Sequence, residues 1–276
     1  MSGVPMDEPT YILGHSEEER QRLIAQSSLY GSFTETLLIQ AGIGKGMRVL
    51  DIGCGMGDVS LLAARLVGPE GSVVGVDREE VAVKSARERA SALGWQNLIF
   101  IAADPKDLLF DRPFDALIGR FVLMYQAEPT MTLSNLREKI VSGGIVAFHE
   151  LEFSDPPGLQ ENRTWNRCFK WWKETAVRAG IEVHMGSKMY STFTGAGLVA
   201  PSLEMFTPMG AGPYFAGYQY VAESIRSIVP LMEQLGVATA AEIDASTLAQ
   251  RLQADTLSAG GVLVLPHTVG AWARVN

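Results

Sequence analysis

Three aspartates each sit at or near the end of an apolar run. Asp51 lies in RVLDI, Asp77 closes SVVGVD and Asp104 follows LIFIAA. An ionised carboxylate only accepts hydrogen bonds, and an acid closing the second strand of a nucleotide-binding unit accepts both ribose hydroxyls. Asp77 has that place. Asp104 has the place from which a side chain reaches an adenine amino group. Asp51 suits a cationic or amino-bearing ligand. Between Asp51 and Asp77 lies the turn Gly53-Cys54-Gly55-Met56-Gly57. Glycine lets a backbone approach a ligand closely, and the helix that follows presents free N–H groups and a partial positive charge.

That turn has the spacing G-x-G-x-G, with Asp58 where a dinucleotide fingerprint, G-x-G-x-x-G, places its third glycine. It holds no lysine or arginine. Both features argue against a pyrophosphate. Three carboxylates at the ends of successive strands define one crevice that suits a ribose, an adenine amine, an ammonium or a sulfonium.

Candidate proton acceptors are few. His149 and Glu150 follow the apolar run IVAF, and His15 precedes the first helix. An unperturbed imidazole titrates near pH 6.5, which suits a general base. His149 equally reads as a structural histidine at a strand end. Glu150 equally reads as an ion-pair partner of Arg163 or Arg167. Tyr11 and His15 equally read as a cap over a bound ligand. His184 and His267 are less well placed. The four histidines have no metal-ligand spacing, so no metal is expected. Cys54 and Cys168 are too few for a disulfide framework and point to a reduced, cytoplasmic setting. Cys54 reads as a small buried filler.

The elements that position these residues alternate. Strands are expected at 48–52, 72–76, 98–102, 114–118 and 145–148. Helices are expected at 58–67, 79–93 and 132–141, the last broken by Gly143-Gly144. A helix opened by Ser16 with Glu19 as a capping box, and a second over 33–40, precede them. This alternation is an α/β pattern with a parallel, doubly covered sheet. Beyond Pro156-Pro157, Trp165, Phe169, Trp172 and Ala176 share one helical face, and Gly180 ends that helix. A strand is expected at 201–207, a hinge-like loop at 210–213, and a helical face through Tyr214, Tyr218, Val221, Ile225 and Ile228, punctuated by Pro230 and Gly236. A helix at 246–258 and an apolar last strand at 261–274, bent at Pro266, complete the chain. The domain reading is an N-terminal helical cap at 1–43, a core at 44–207, a helical lid insertion at 208–260 and a final core strand at 261–276.

The chain has 276 residues, 47% hydrophobic and 20% charged, with a net charge of −8. No basic stripe is present, which argues against nucleic acid. The first residues lack a basic segment followed by an apolar one, so no signal peptide is expected. No apolar run approaches the ~18 residues of a membrane span.

The successive segments VLDIGCGMG, VVGVD, IAADP and FDALIGRFVLMY resemble the motifs of the class I S-adenosylmethionine-dependent methyltransferases. The likeness is to the small-molecule branch that includes quinone-biosynthesis and natural-product enzymes, and it covers about residues 45–150. It implies a Rossmann-like, doubly wound, seven-stranded and mostly parallel sheet with a final antiparallel strand. It also implies S-adenosylmethionine as cofactor. Gly53 and Gly55 would approach the methionine moiety, Asp77 with the neighbouring Arg78 the ribose, and Asp104 with the Ala103 backbone the adenine. Arg120 and Phe121 would lie near the donor methyl, with Tyr11 and Asp51 completing the cofactor set. About 50 inserted residues separate the last two strands, where the family has a short hairpin.

The expected acceptor is a small apolar or aromatic molecule, methylated on oxygen, carbon or nitrogen. A subset of Trp165, Phe169, Trp172, Tyr214 and Tyr218, with Met205, Met209 and Phe215, would touch it; a homodimer interface is the other use of such a surface. Two rival readings stand beside this one. One is a nicotinamide-dependent oxidoreductase, against which stand Asp58 and the lack of a Tyr-x-x-x-Lys pair. The other is a non-methylating protein that keeps the cofactor-binding fold.

Overall fold

A computed structural model describes residues 17–154 and 162–276. Tyr11, His15 and Ser16 lie outside the described residues. The long helix α1 (Glu17–Ala41) leads into β1 (Arg48–Ile52), α2 (Asp58–Val67), β2 (Ser72–Asp77), α3 (Glu80–Ala92) and β3 (Leu98–Ala102). Then come β4 (Phe114–Arg120), α4 (Pro129–Arg137) and β5 (Ile140–Glu152). The second half holds α5 (Arg163–Arg178), α6 (Met185–Gly195), β6 (Ser202–Phe206) and β7 (Met209–Gly210). It ends with α7 (Gly217–Gln234), α8 (Ala240–Ile243), α9 (Leu248–Ser258), β8 (Leu263–Val264) and β9 (His267–Arg274).

Seven strands form one sheet in the order β3-β2-β1-β4-β5-β9-β6. Its first five strands run parallel, and β9 lies antiparallel between β5 and β6. The expected fold class is the observed one. Alternate residues of each strand feed two cores. Leu50, Ile52, Val74, Leu117 and Val146 face one, and Val49, Val73, Ala116, Ile118 and Ala147 face the other. Asp51 shares the face of Val49 and so points at α2.

Several boundaries differ from expectation. The two expected N-terminal helices are one, and Gly31 lies inside α1 without breaking it. Helix α4 starts three residues early and ends before Gly143-Gly144. Those glycines lie inside β5, where pairing resumes past an irregularity between β4 and β5. Pro230 lies inside α7 and does not end it. The expected hinge at 210–213 starts in a small ladder, Met209↔Val264 and Gly210↔Leu263, that closes the base of the insertion. Helix α6 was not expected at all. Among the described residues, no helix is long and apolar enough to cross a membrane.

Candidate active site

The carboxyl ends of β1, β2, β3 and β4 converge on the glycine turn. Gly53 and Gly55 have φ of +62° and +51°, the left-handed region that favours glycine. A Cβ on Gly53 would stand 2.5 Å from Val122 Cγ2, whereas one on Gly55 would meet nothing within 4 Å. The turn therefore packs against the β4 loop on one side and lies open on the other.

Asp77 ties the turn to β2. Its Oδ2 accepts the Gly55 N–H at 2.8 Å and its Oδ1 the Glu79 N–H at 3.0 Å. It is not the N-cap of α3, a place taken by Glu79. Asp104 accepts the Lys106 amide at 3.0 Å and pairs with Arg78 at 2.7 Å and Lys106 Nζ at 3.2 Å. Partial burial pushes its carboxyl up, but these bonds and charges hold it below the ordinary value. The Ala103 amide donates to Asp77 O at 2.9 Å, which fixes the β3 loop against β2.

Asp51 is buried. Its Oδ2 accepts from Ser60 Oγ at 2.5 Å and its Oδ1 has no hydrogen-bond partner. Burial pushes its pKa up to about 7, with the Ser60 bond opposing. An orphaned carboxylate oxygen beneath an open glycine turn, with Asp77 and Asp104 at the next two strand ends, fits a ligand carrying an amine, a ribose and an adenine. These are the groups of S-adenosylmethionine.

Arg89 of α3 was not singled out from the sequence. It donates to Met56 O at 2.5 Å and to Asp58 Oδ1 at 2.8 Å, holding the turn from outside. Asp58 opens α2, where its charge suits the helix dipole. Nothing in the local sequence links positions 89 and 58. Cys54 is buried as expected, and burial raises its thiol well above the ordinary range.

His149 and Glu150 lie inside β5, not beyond it, and both are buried. Glu150 makes no ion pair with Arg163 or Arg167. Its Oε1 accepts the Val122 and Leu123 amides at 2.9 and 2.8 Å, and its Oε2 the Met124 amide at 3.3 Å. Burial pushes its pKa up to about 7 against those bonds. A carboxylate so placed clamps the loop after β4. That loop begins at Phe121, which has φ of +57°.

His149 stands beside Arg120, its register partner on β4. Arg120 Nη1 donates to Thr34 Oγ1 at 3.3 Å, and His149 Nδ1 lies 3.2 Å from the same oxygen. Burial, then the Arg120 charge, lowers the His149 pKa well below 6.5, so the imidazole is neutral. A buried neutral imidazole offers one ring nitrogen as a hydrogen-bond acceptor.

The candidate acceptor residues do not come together as one group. Trp165, Phe169 and Trp172 are buried on α5, packed with Phe153, and Trp172 also meets Tyr220. Tyr218 is buried beside Phe215, but Tyr214 is 96% exposed. Met205 and Met209 are also exposed. His184 and His267 sit elsewhere: His184 Nδ1 meets Glu152 Oε1 at 2.5 Å, and His267 Nδ1 meets Thr207 Oγ1 at 2.5 Å.

The sequence model of a family described as "Methyltransferase domain" matches residues 43–197, more than half of the chain. The chain belongs to that methyltransferase family. The likeness drawn from the glycine turn and the strand-end acids therefore holds, and the nicotinamide reading of the turn is set aside. The ubiquinone/menaquinone biosynthesis C-methyltransferase UbiE of Idiomarina loihiensis is 32% identical over 128 residues, covering 46% of this chain and 50% of that protein. Aklanonic acid methyltransferase DauC of a Streptomyces species is 33% identical over 104 residues, covering 37% and 47%. This chain thus matches about half the length of these curated relatives. A solved phosphoethanolamine N-methyltransferase of Haemonchus contortus, in complex with S-adenosylmethionine, shares the fold with a TM-score of 0.58 at 15% identity, covering 92% of this chain and 57% of that one.

Proposed function

We propose that this chain is an S-adenosylmethionine-dependent methyltransferase acting on a small apolar or aromatic metabolite. The observation that carries the reading is the bond from Gly55 N–H to Asp77, which draws the glycine turn and the acid closing β2 into one cradle above the orphaned Asp51 oxygen. The named relatives, which act on quinone precursors and on aklanonic acid by their titles, support a small-molecule acceptor.

In this reading Asp77 accepts the ribose hydroxyls and Asp104, with the Ala103 backbone, meets the adenine. Asp51 faces the amino end, and Arg120 and Phe121 flank the methionine end. The cofactor supplies an electrophilic methyl group on a sulfonium. The chain's own work is alignment, because an activated donor needs an oriented acceptor more than acid–base help. Glu150 fixes the 122–124 amides, and through them the loop that carries Phe121. We read the 208–260 segment as the cover of the acceptor side.

Calorimetric titration with S-adenosylmethionine and S-adenosylhomocysteine tests the cofactor site. Both should bind, and Asp77→Ala should weaken binding at least about tenfold, the worth of one charged hydrogen bond. Unchanged affinity in that variant would refute the assignment. Mass analysis of acceptors after turnover tests the reaction: no gain of a methylene unit on any accepted substrate would favour a non-methylating protein of the same fold.

A further inference from the structure

Helix α7 belongs to the segment in which this chain departs from the family's short hairpin, and it packs along α1. Polar residues gather in the buried seam that runs from this contact to the ends of β4 and β5. Tyr30 and Thr34 come from α1, Tyr220 and Ser224 from α7, His149 from β5 and Arg120 from β4; all are less than 9% exposed. Burying so many polar groups is costly unless each finds a partner. Among their atoms His149 Nε2 finds none, and Tyr30 Oη and Ser224 Oγ have no partner but the Tyr220 hydroxyl.

The protonation pattern of the seam follows from its bonds. Thr34 Oγ1 donates its one hydrogen to Tyr30 O at 2.9 Å. Its lone pairs are left to receive Arg120 Nη1 and His149 Nδ1. His149 therefore carries its hydrogen on Nδ1 and a free lone pair on Nε2. Burial, then the Tyr220 charge and a hydrogen bond to Tyr220, keeps Tyr30 protonated, so its hydroxyl is a donor. The seam thus offers one unused acceptor, His149 Nε2, and one donor, Tyr30 Oη, whose partner is the hydroxyl of Tyr220, on rings whose centres lie 6.0 Å apart.

Aromatic faces surround the pair. Phe33 and Phe121 centre 4.8 and 5.1 Å from the His149 ring, and Tyr220 5.6 Å from the Tyr30 ring. Arg120 ties the seam to Asp51 and Asp58 of the glycine turn, whose charges act on its guanidinium.

We propose that this seam, and not the aromatic face of α5, is the acceptor site, and that it selects a ring-bearing molecule through one hydroxyl group. That hydroxyl donates to His149 Nε2 and accepts from Tyr30 Oη, while Phe33, Phe121 and Tyr220 flank the ring. The inference rests on the methyltransferase reading. Tyr220, from α7, gives the 208–260 segment a wall of that site. His149 and Tyr30 are sealed from solvent, so occupancy requires α7 to part from α1.

The test uses the full chain loaded with S-adenosylhomocysteine and three probes: 1-naphthol, 1-methoxynaphthalene and naphthalene. Calorimetry should show 1-naphthol binding roughly tenfold or more tightly than the other two, the yield of two matched hydrogen bonds. Tyr30→Phe and His149→Asn should each erase most of that preference and leave naphthalene affinity unchanged. Should His149→Asn fail to fold, Tyr30→Phe decides alone. Equal affinities in the wild type, or a preference that survives in Tyr30→Phe, would overturn the proposal. So would failure of all three probes to bind while S-adenosylhomocysteine binds normally. A protein that takes up no S-adenosylhomocysteine overturns the methyltransferase reading itself, and this inference with it.

Discussion

Val122 occupies the space that any side chain on Gly53 would need: Val122 Cγ2 lies 2.5 Å from where a Cβ would stand. The glycine of the turn after β1 is therefore fixed by the loop after β4, as well as by its own φ of +62°.

Two costs follow for Gly53→Ala. A left-handed conformation costs a non-glycine residue about 1–2 kcal/mol, and forced overpacking about 1–3 kcal/mol. Urea unfolding should show a loss of roughly 2–5 kcal/mol by their sum. Adding Val122→Ala should return the packing part and leave the backbone part. A double variant no more stable than Gly53→Ala would mean that Val122 is not the obstacle.

Glu150 holds the other end of the same loop. Glu150→Ala leaves the three amides of Val122, Leu123 and Met124 without their acceptor. Each hydrogen bond to a charged group contributes about 1.5–3 kcal/mol, so the loss should reach at least about 3 kcal/mol. Glu150→Gln keeps one acceptor oxygen and should lose less. If that variant folds, its turnover and its affinity for S-adenosylhomocysteine should both fall, because the clamp acts on the loop that carries Phe121 at the methionine end and packs Val122 on Gly53. Equal stability of Glu150→Ala and wild type, measured by urea unfolding, would show that the amides find other partners.

How much of this was legible in the sequence depends on whether each cause belongs to a local pattern. The glycine turn and Asp77 were legible because strand, turn, helix and strand follow one another in one unit. The loop clamp of Glu150 and the turn contact of Arg89 were not, because nothing in the local sequence ties either residue to its partner on another element. Helix α6, MGSKMYSTFTG, carries glycine, serine and threonine where helix formers are wanted. Packing on β5, β9 and α4 holds it, and Glu152 Oε2 accepts from Ser187 N at 2.8 Å in its first turn. Gly143-Gly144 read as a break, but Val275, just past β9, accepts from Gly143 N–H at 2.7 Å and donates to Gly144 O at 2.9 Å, which keeps the chain extended there.

Burial of Asp51 sets a pH dependence whose sign is fixed. Its folded pKa of about 7 lies above the ordinary 3.8, so the folded chain binds that proton more tightly than the unfolded one. This contribution is fully present below pH ~4 and is lost as pH rises through ~7. Its steepest slope is about 1.4 kcal/mol per pH unit. Asp51→Asn should flatten the wild-type stability curve between those limits. Glu150, also raised to about 7, adds a parallel slope that Asp51→Asn leaves in place. Identical pH profiles of stability for wild type and Asp51→Asn would show that the buried carboxyl is better solvated than its single Ser60 bond implies.

Trp172 and Tyr214 separate the two meanings of an aromatic residue in the second half of the chain. Trp172 is 5% exposed and its ring meets Phe153 at 5.3 Å and Tyr220 at 5.9 Å. Trp172→Ala should cost about 3–5 kcal/mol of stability, as truncation of a buried large aromatic does. Tyr214 stands almost wholly in solvent, and Tyr214→Ala should stay within about 0.5 kcal/mol of wild type. It should also leave acceptor affinity unchanged, since the ring lies outside the seam between α1 and α7. A Tyr214→Ala variant that binds acceptor much more weakly at normal stability would place the loop at 211–216 over the bound molecule, and would move the acceptor site away from Tyr30 and His149.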